Sequence, residues 1–90
     1  MPINSFTSQY ERSFRKLVKQ NNQLRQEVKE TLKRFAENPN HPSLRLEKLS
    51  GKDIWTIRIN KDHRLFFIWS DRGDTAIFFL VGPHDLYRNI

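Results

Sequence analysis

Trp55-Thr56-Ile57-Arg58-Ile59, Leu65-Phe66-Phe67-Ile68-Trp69 and Thr75-Ala76-Ile77-Phe78-Phe79-Leu80-Val81 decide the fold of this chain. The first alternates apolar and polar residues with the period of a half-buried strand, and the other two are apolar on both faces. Leu44-Arg45-Leu46-Glu47-Lys48 alternates in the same way and predicts a strand ahead of them. Turn-forming residues separate these runs at Ser50-Gly51-Lys52-Asp53, Asn60-Lys61-Asp62-His63 and Asp71-Arg72-Gly73-Asp74. Taking Asn60-Lys61-Asp62 and Asp71-Arg72-Gly73 as three-residue hairpin loops, with Gly73 at positive φ, fixes a register. Trp55 and Ile57 then lie beside Leu65 and Phe67, and these beside Ile77, Phe79 and Val81, on one apolar face. The other face carries Arg58 directly opposite Arg64, followed by Phe66, Ile68, Ala76, Phe78 and Leu80.

Upstream, Tyr10, Phe14, Leu17 and Val18 recur at helical spacing behind Ser8 and Glu11, a capping-box pair. Asn21-Asn22 breaks the pattern. Leu24, Val28, Leu32, Phe35 and Ala36 form a second stripe that ends before Pro39. The expected architecture is α+β: an N-terminal α-hairpin packed on one face of a four-stranded, mainly antiparallel twisted sheet. Ninety residues make a single domain, 1–90, with a modest core. Two helices cover one side of such a sheet, so Phe66, Ile68, Phe78 and Leu80 are left as an apolar patch for a partner chain or a second copy.

Sixteen Lys+Arg against ten Asp+Glu give a net charge of +6, which favours a polyanionic partner. The excess is spread along the chain instead of sitting in a tail. Arg12, Arg15, Lys19, Arg25, Lys29 and Lys33 fall opposite the apolar helical stripes, where a solvated surface is the simpler reading. Without cysteine, disulfide and thiolate chemistry are excluded. The start, Met1-Pro2-Ile3-Asn4-Ser5-Phe6, has neither the charged nor the apolar segment of a signal peptide, and no apolar run approaches a membrane span; a soluble cytoplasmic protein with no membrane partner is expected.

Chemistry concentrates at the end of the chain. In Val81-Gly82-Pro83-His84-Asp85-Leu86-Tyr87-Arg88 a histidine, a tyrosine and an arginine follow a buried strand, the side chains needed to hold and cleave a phosphodiester without a metal. His41, His63 and His84 have no metal-ligand spacing, and no glycine-rich phosphate loop or serine elbow occurs, so no metal or other cofactor is expected.

Leu46-Glu47-Lys48-Leu49-Ser50-Gly51, Trp55-Thr56-Ile57-Arg58-Ile59-Asn60, Asp62-His63-Arg64-Leu65-Phe66-Phe67 and Val81-Gly82-Pro83-His84-Asp85-Leu86-Tyr87 together resemble the RelE/ParE superfamily of bacterial toxin–antitoxin toxins. Members resembling RelE, YoeB, YafQ and HigB are metal-independent endoribonucleases that cut mRNA on the ribosome, whereas members resembling ParE bind DNA gyrase. The resemblance matches Arg64 to the arginine of the family's (Y/H)-R-L strand, Arg58 to a basic residue of the strand before it, and His84 and Tyr87 to catalytic positions of the tail. Thr56 departs from the lysine of some relatives, and Pro83-His84 is nearer the YafQ and YoeB style. Glu47 loosely matches an acid/base glutamate of YoeB-like toxins. Lys48, Lys52, Lys61 and Arg88 are the accompanying candidates for substrate binding.

The resemblance implies attack by the RNA 2′-hydroxyl on its own phosphate. His84 would move a proton, since an imidazole titrates near neutrality; Arg58 and Arg64 would hold the phosphate; Tyr87 would stack on a base. The partners implied are mRNA on the ribosome and a small cognate antitoxin, in a hetero-oligomer or beside a homodimer. Gyrase inhibition without nuclease activity, or a degenerate antitoxin-binding module, are the alternatives.

Overall fold

A computed structural model describes residues 2–86. Five strands and two helices follow in the order β1 (Ile3–Phe6), α1 (Ser8–Val18), α2 (Asn22–Glu37), β2 (Glu47–Lys48), β3 (Trp55–Arg58), β4 (His63–Trp69) and β5 (Thr75–Pro83), with a 3₁₀ turn at Pro42–Leu44 between α2 and β2. The sheet order is β1-β5-β4-β3-β2; β1 runs parallel to β5 and every other pair is antiparallel. The sheet is therefore mixed and five-stranded, one strand more than the sequence reading expects. Ile3-Asn4-Ser5-Phe6 carries no alternation that would reveal it, and its strand character comes from pairing with residues more than seventy positions away.

Both helices form where the apolar stripes predict. Thr7, not Ser8, is the N-cap of α1: its side chain accepts the Tyr10 N–H at 3.0 Å. Asn21 caps α2 through the Leu24 N–H at 3.0 Å. Each helix packs mainly on the sheet, and the two touch one another little, so "hairpin" describes their connection better than their packing. One bridge between them is the Arg25 guanidinium over the Phe14 ring, 5.5 Å from its centroid. Arg12, Arg15, Lys19, Lys29 and Lys33 are exposed, as a solvated face requires.

Phe35 of α2 anchors the core against Phe67, Phe78 and Trp69, with ring centroids 5.2, 5.7 and 6.0 Å away. A fully buried aromatic of this kind contributes about 1.5–3 kcal/mol relative to an exposed one. Val18, Val28, Leu44, Ile57, Leu65 and Val81 complete the layer between helices and sheet.

The β3–β4 hairpin has the expected register: Trp55 faces Phe67, Ile57 faces Leu65, and Arg58 faces Arg64. The β4–β5 hairpin does not. Ser70 and Thr75 close a four-residue loop, one residue longer than expected, although Gly73 has the positive φ (75°) that a tight loop calls for. A one-residue slip reverses the faces of a strand. Ala76 and Phe78 consequently point into the core, and Ile77 pairs with Ile68 on the open face. A bulge at Phe79, left without a partner between Phe78↔Phe67 and Leu80↔Phe66, restores the parity and returns Val81 to the core.

This corrects the proposed partner-binding set. Phe78 is 0% exposed beneath the helices, and Phe66, on the open face between Thr56 and Leu80, is also 0% exposed. Ile68 is 37% exposed and Leu80 half-buried, so the open-face patch is smaller than expected and includes Ile77. No helix among the described residues is long and apolar enough to cross a membrane.

Candidate functional site

On the sheet face away from the helices, Arg45, Glu47, Leu49, Ser50, Thr56, Arg64 and His84 line a cleft of about 390 Å³. Its floor follows from the register. Glu47 pairs with Thr56, Thr56 with Phe66, and Arg58 with Arg64, so these side chains share one face. Because Ile57 and Leu65 are held in the core, the two arginines between and beside them must point to the opposite side.

Arg64 is fixed by its own hairpin. Its Nη1 donates to the Asn60 carbonyl at 2.9 Å and the His63 carbonyl at 3.1 Å. Nε and Nη2 have no hydrogen bond among the described residues and remain for a ligand. Partial burial and the adjacent Arg58 charge lower the Arg64 pKa from its ordinary value; Arg45 acts in the same direction and Glu47 opposes them. The guanidinium stays charged at any physiological pH, and the shift reflects its burial first and the neighbouring positive charges second. Among the described residues Arg64 forms no ion pair with Asp62 or Glu47, the structural role that would have made it unremarkable. A phosphate would supply the missing negative charge.

His84 follows β5 directly. Its backbone N–H donates to the Asp62 carbonyl at 2.9 Å, extending the β4–β5 ladder one step and bringing His84 into the cleft that Arg64 also lines. The ring is exposed and makes no hydrogen bond to the described residues. Opposite Arg64 on β5 stands Gly82, where a Cβ would meet Leu86 Cδ2 at 2.8 Å, so the short turn bearing His84 packs directly onto the strand.

Arg64, Glu47 and His84 thus share one cleft, while Arg58 stands across the strand pair from Arg64 and is not among the residues that line it. The supposed substrate-binding lysines do not enter the cleft lining. Lys48 sits one residue out of phase with Glu47 and its Nζ lies 3.7 Å from Asp53 across the β2–β3 turn. Lys52 is exposed in that turn and Lys61 at the tip of the β3–β4 loop. Tyr87 and Arg88 lie outside the described residues. Arg45 was missed by sequence reasoning, which took Leu44–Lys48 as one strand. Instead the 3₁₀ turn ends at Arg45 in the left-handed region (φ 47°, ψ 52°), an unusual conformation for a residue with a Cβ. The strand pattern is broken there, and the Arg45 side chain is delivered to the cleft wall.

A family model for the ParE toxin of type II toxin–antitoxin systems, parDE, matches residues 5–85. Solved structures with the same fold include a YoeB/ParE toxin from Agrobacterium tumefaciens (15% identity, TM-score 0.74, covering 91% of this chain and 98% of that one). The YoeB dimer from Staphylococcus aureus is similar at 20% identity and TM-score 0.71, covering 92% and 97%. YafQ from E. coli strain BL21(DE3) is similar at 14% identity and TM-score 0.71, covering 97% and 98%. No curated protein sequence matches the chain significantly. With the family model spanning nearly all of the described residues, the chain belongs to the ParE toxin family of type II toxin–antitoxin systems, within the RelE/ParE superfamily.

Proposed function

We propose that this toxin is a metal-independent endoribonuclease that cleaves mRNA on the ribosome and is held inactive by a small antitoxin. The observation that carries this reading is the convergence of Arg64, Glu47 and His84 in one cleft, with Arg58 across the strand from Arg64. In the reaction the RNA 2′-oxygen bonds to phosphorus as the bond from phosphorus to the 5′-oxygen breaks, leaving a 2′,3′-cyclic phosphate and a 5′-hydroxyl. Glu47 takes the 2′-hydroxyl proton, and His84 gives a proton to the departing 5′-oxygen. Arg58 and Arg64 hold the non-bridging oxygens, whose charge grows in the pentacoordinate state. Arg45 extends that cationic wall, and Tyr87 would stack on a base.

The partner proposal draws on the similarity to a YoeB–YefM complex from Staphylococcus aureus, a toxin with its antitoxin, at 21% identity. An antitoxin of this kind would cover the cleft and the remaining open-face patch of Ile68, Ile77 and Leu80.

The test is induction of wild-type and His84→Ala chains in growing bacteria with mRNA 5′-ends mapped on ribosomes. Wild type should generate new ends at codons and the variant should not. Substrates with a 5′-bridging sulfur, whose departure needs no acid, should restore cleavage by His84→Ala but not by Glu47→Ala. The second reading is gyrase inhibition, favoured by the family model's ParE description. It predicts intact messages, blocked supercoiling and toxicity that survives His84→Ala.

A further inference from the structure

The loop joining β3 to β4 does more than reverse the chain. The hairpin is already closed by the Ile59 N–H to the His63 carbonyl at 3.1 Å. Within it, Asn60 Oδ1 accepts from the backbone N–H groups of Asp62 (2.8 Å) and His63 (3.0 Å) and from His63 Nδ1 (3.0 Å). Asn60 Nδ2 donates to Glu27 Oε1 of α2 at 3.1 Å. A carboxylate only accepts and backbone amides only donate, so these partners fix which end of the Asn60 amide is nitrogen and require the His63 proton on Nδ1.

The same three residues hold both groups of the cleft. The Asn60 carbonyl receives Arg64 Nη1, and the Asp62 carbonyl receives the His84 N–H. One loop thus holds the Arg64 guanidinium and the His84 backbone relative to one another, and Asn60 clamps that loop to a helix on the far side of the sheet. We infer that Asn60 is a positioning residue for the Arg64–His84 pair, with Glu27 as its anchor on α2. The catalytic half of this inference rests on the ribonuclease reading; the geometric half does not.

Turnover demands alignment: a displacement of about 1 Å at a catalytic group costs on the order of a hundredfold in rate. Asn60→Ala removes the three acceptor bonds and the anchor, so kcat on ribosome-bound mRNA should fall about ten- to a hundredfold. KM should change less than about threefold, because Arg58 and the cleft wall still attract the phosphate. Asn60→Asp keeps the acceptor but sets a carboxylate against Glu27, and should lose activity nearly as far. Glu27→Ala should lower kcat without touching the cleft, and Glu27→Gln, whose amide oxygen still accepts from Asn60 Nδ2, should restore most of it.

The second readout is nuclear magnetic resonance of the full chain. In wild type the His84 amide should be protected from exchange and the Arg64 guanidinium protons resolved; in Asn60→Ala and Glu27→Ala both signatures should be lost while Leu65 and Phe67 amides keep their protection. Wild-type kcat in a folded Asn60→Ala, or an activity ranking in which Glu27→Gln behaves as Glu27→Ala, would overturn the inference. If Asn60→Ala does not fold, the Glu27 pair decides. If the wild-type chain cuts no RNA, the ribonuclease reading fails by itself, and the guanidinium and amide signals still decide whether the loop holds the pair.

Discussion

Arg58 and Arg64 stand directly across a strand pair, and like charges in that arrangement destabilise a sheet by a few tenths to about 1 kcal/mol. Glu47 on the same face offsets the pair only in part: the lowered pKa of Arg64 reflects burial first and the Arg58 charge second. Arg58→Gln should therefore raise the unfolding free energy by roughly 0.5 kcal/mol in urea titrations while reducing cleavage at least tenfold. A variant less stable than wild type would mean that Arg58 is structural. Tyr10 carries a second residue-scale consequence. Burial, with a smaller contribution from Glu11, pushes its phenol up to about 12 from the ordinary 10. The folded chain resists losing this proton more than the unfolded chain does. The associated stability is thus intact below pH 10 and is lost as pH rises from 10 to 12, a loss on the order of 2 kcal/mol. Chemical denaturation at pH 9 and pH 11.5 should reveal a smaller loss for Tyr10→Phe than for wild type, and equal losses would contradict the cause assigned here.

At the scale of elements, the β3–β4 hairpin was readable and the β4–β5 hairpin was not, for one physical reason. Trp55–Arg58 alternates, so only one register buries Trp55 and Ile57; Ala76–Val81 is apolar throughout, so alternation cannot say which face is inward. Gly73 suits a three- or a four-residue loop equally, and the slip it concealed sent Phe78 into the core. The Arg58/Arg64 pair and the position of His84 survived because they depend on the readable hairpin and the strand end. Arg45 was hidden because Leu44-Arg45-Leu46 imitates a strand although the backbone there is a 3₁₀ turn ending in a left-handed residue. The Phe79 bulge that restores register has a stabiliser of its own: Ser13 Oγ of α1 accepts the Val81 N–H at 3.2 Å and donates to the Tyr10 carbonyl at 2.8 Å. Ser13→Ala leaves that N–H without its partner where β5 resumes its inward face, and should cost about 1–3 kcal/mol. The Val81 amide should also exchange faster than Leu65. Unaltered stability would show that solvent replaces the hydroxyl.

For the molecule as a whole, the net charge of +6 and the cleft cations act over different distances. Exposed charges on α1, such as Arg12 and Arg15, attract a polyanion from solution, but at physiological salt their reach ends within about 8 Å. Cations that touch phosphates also displace condensed counterions, and each contact adds about 0.7 to the slope of log affinity against log salt for a single strand. Binding of a 2′-deoxy-substituted RNA, which lacks the nucleophile, separates the two effects. Arg58→Gln should lower the slope by about 0.7 and weaken binding at every salt concentration. Arg12→Gln combined with Arg15→Gln should slow association at low salt and leave the slope within about 0.3 of wild type, because these side chains lie on the helical layer behind the sheet. If the α1 pair lowers the slope as much as Arg58→Gln, RNA runs across the helices, and the cleft between β2 and the end of β5 is not where the strand is held.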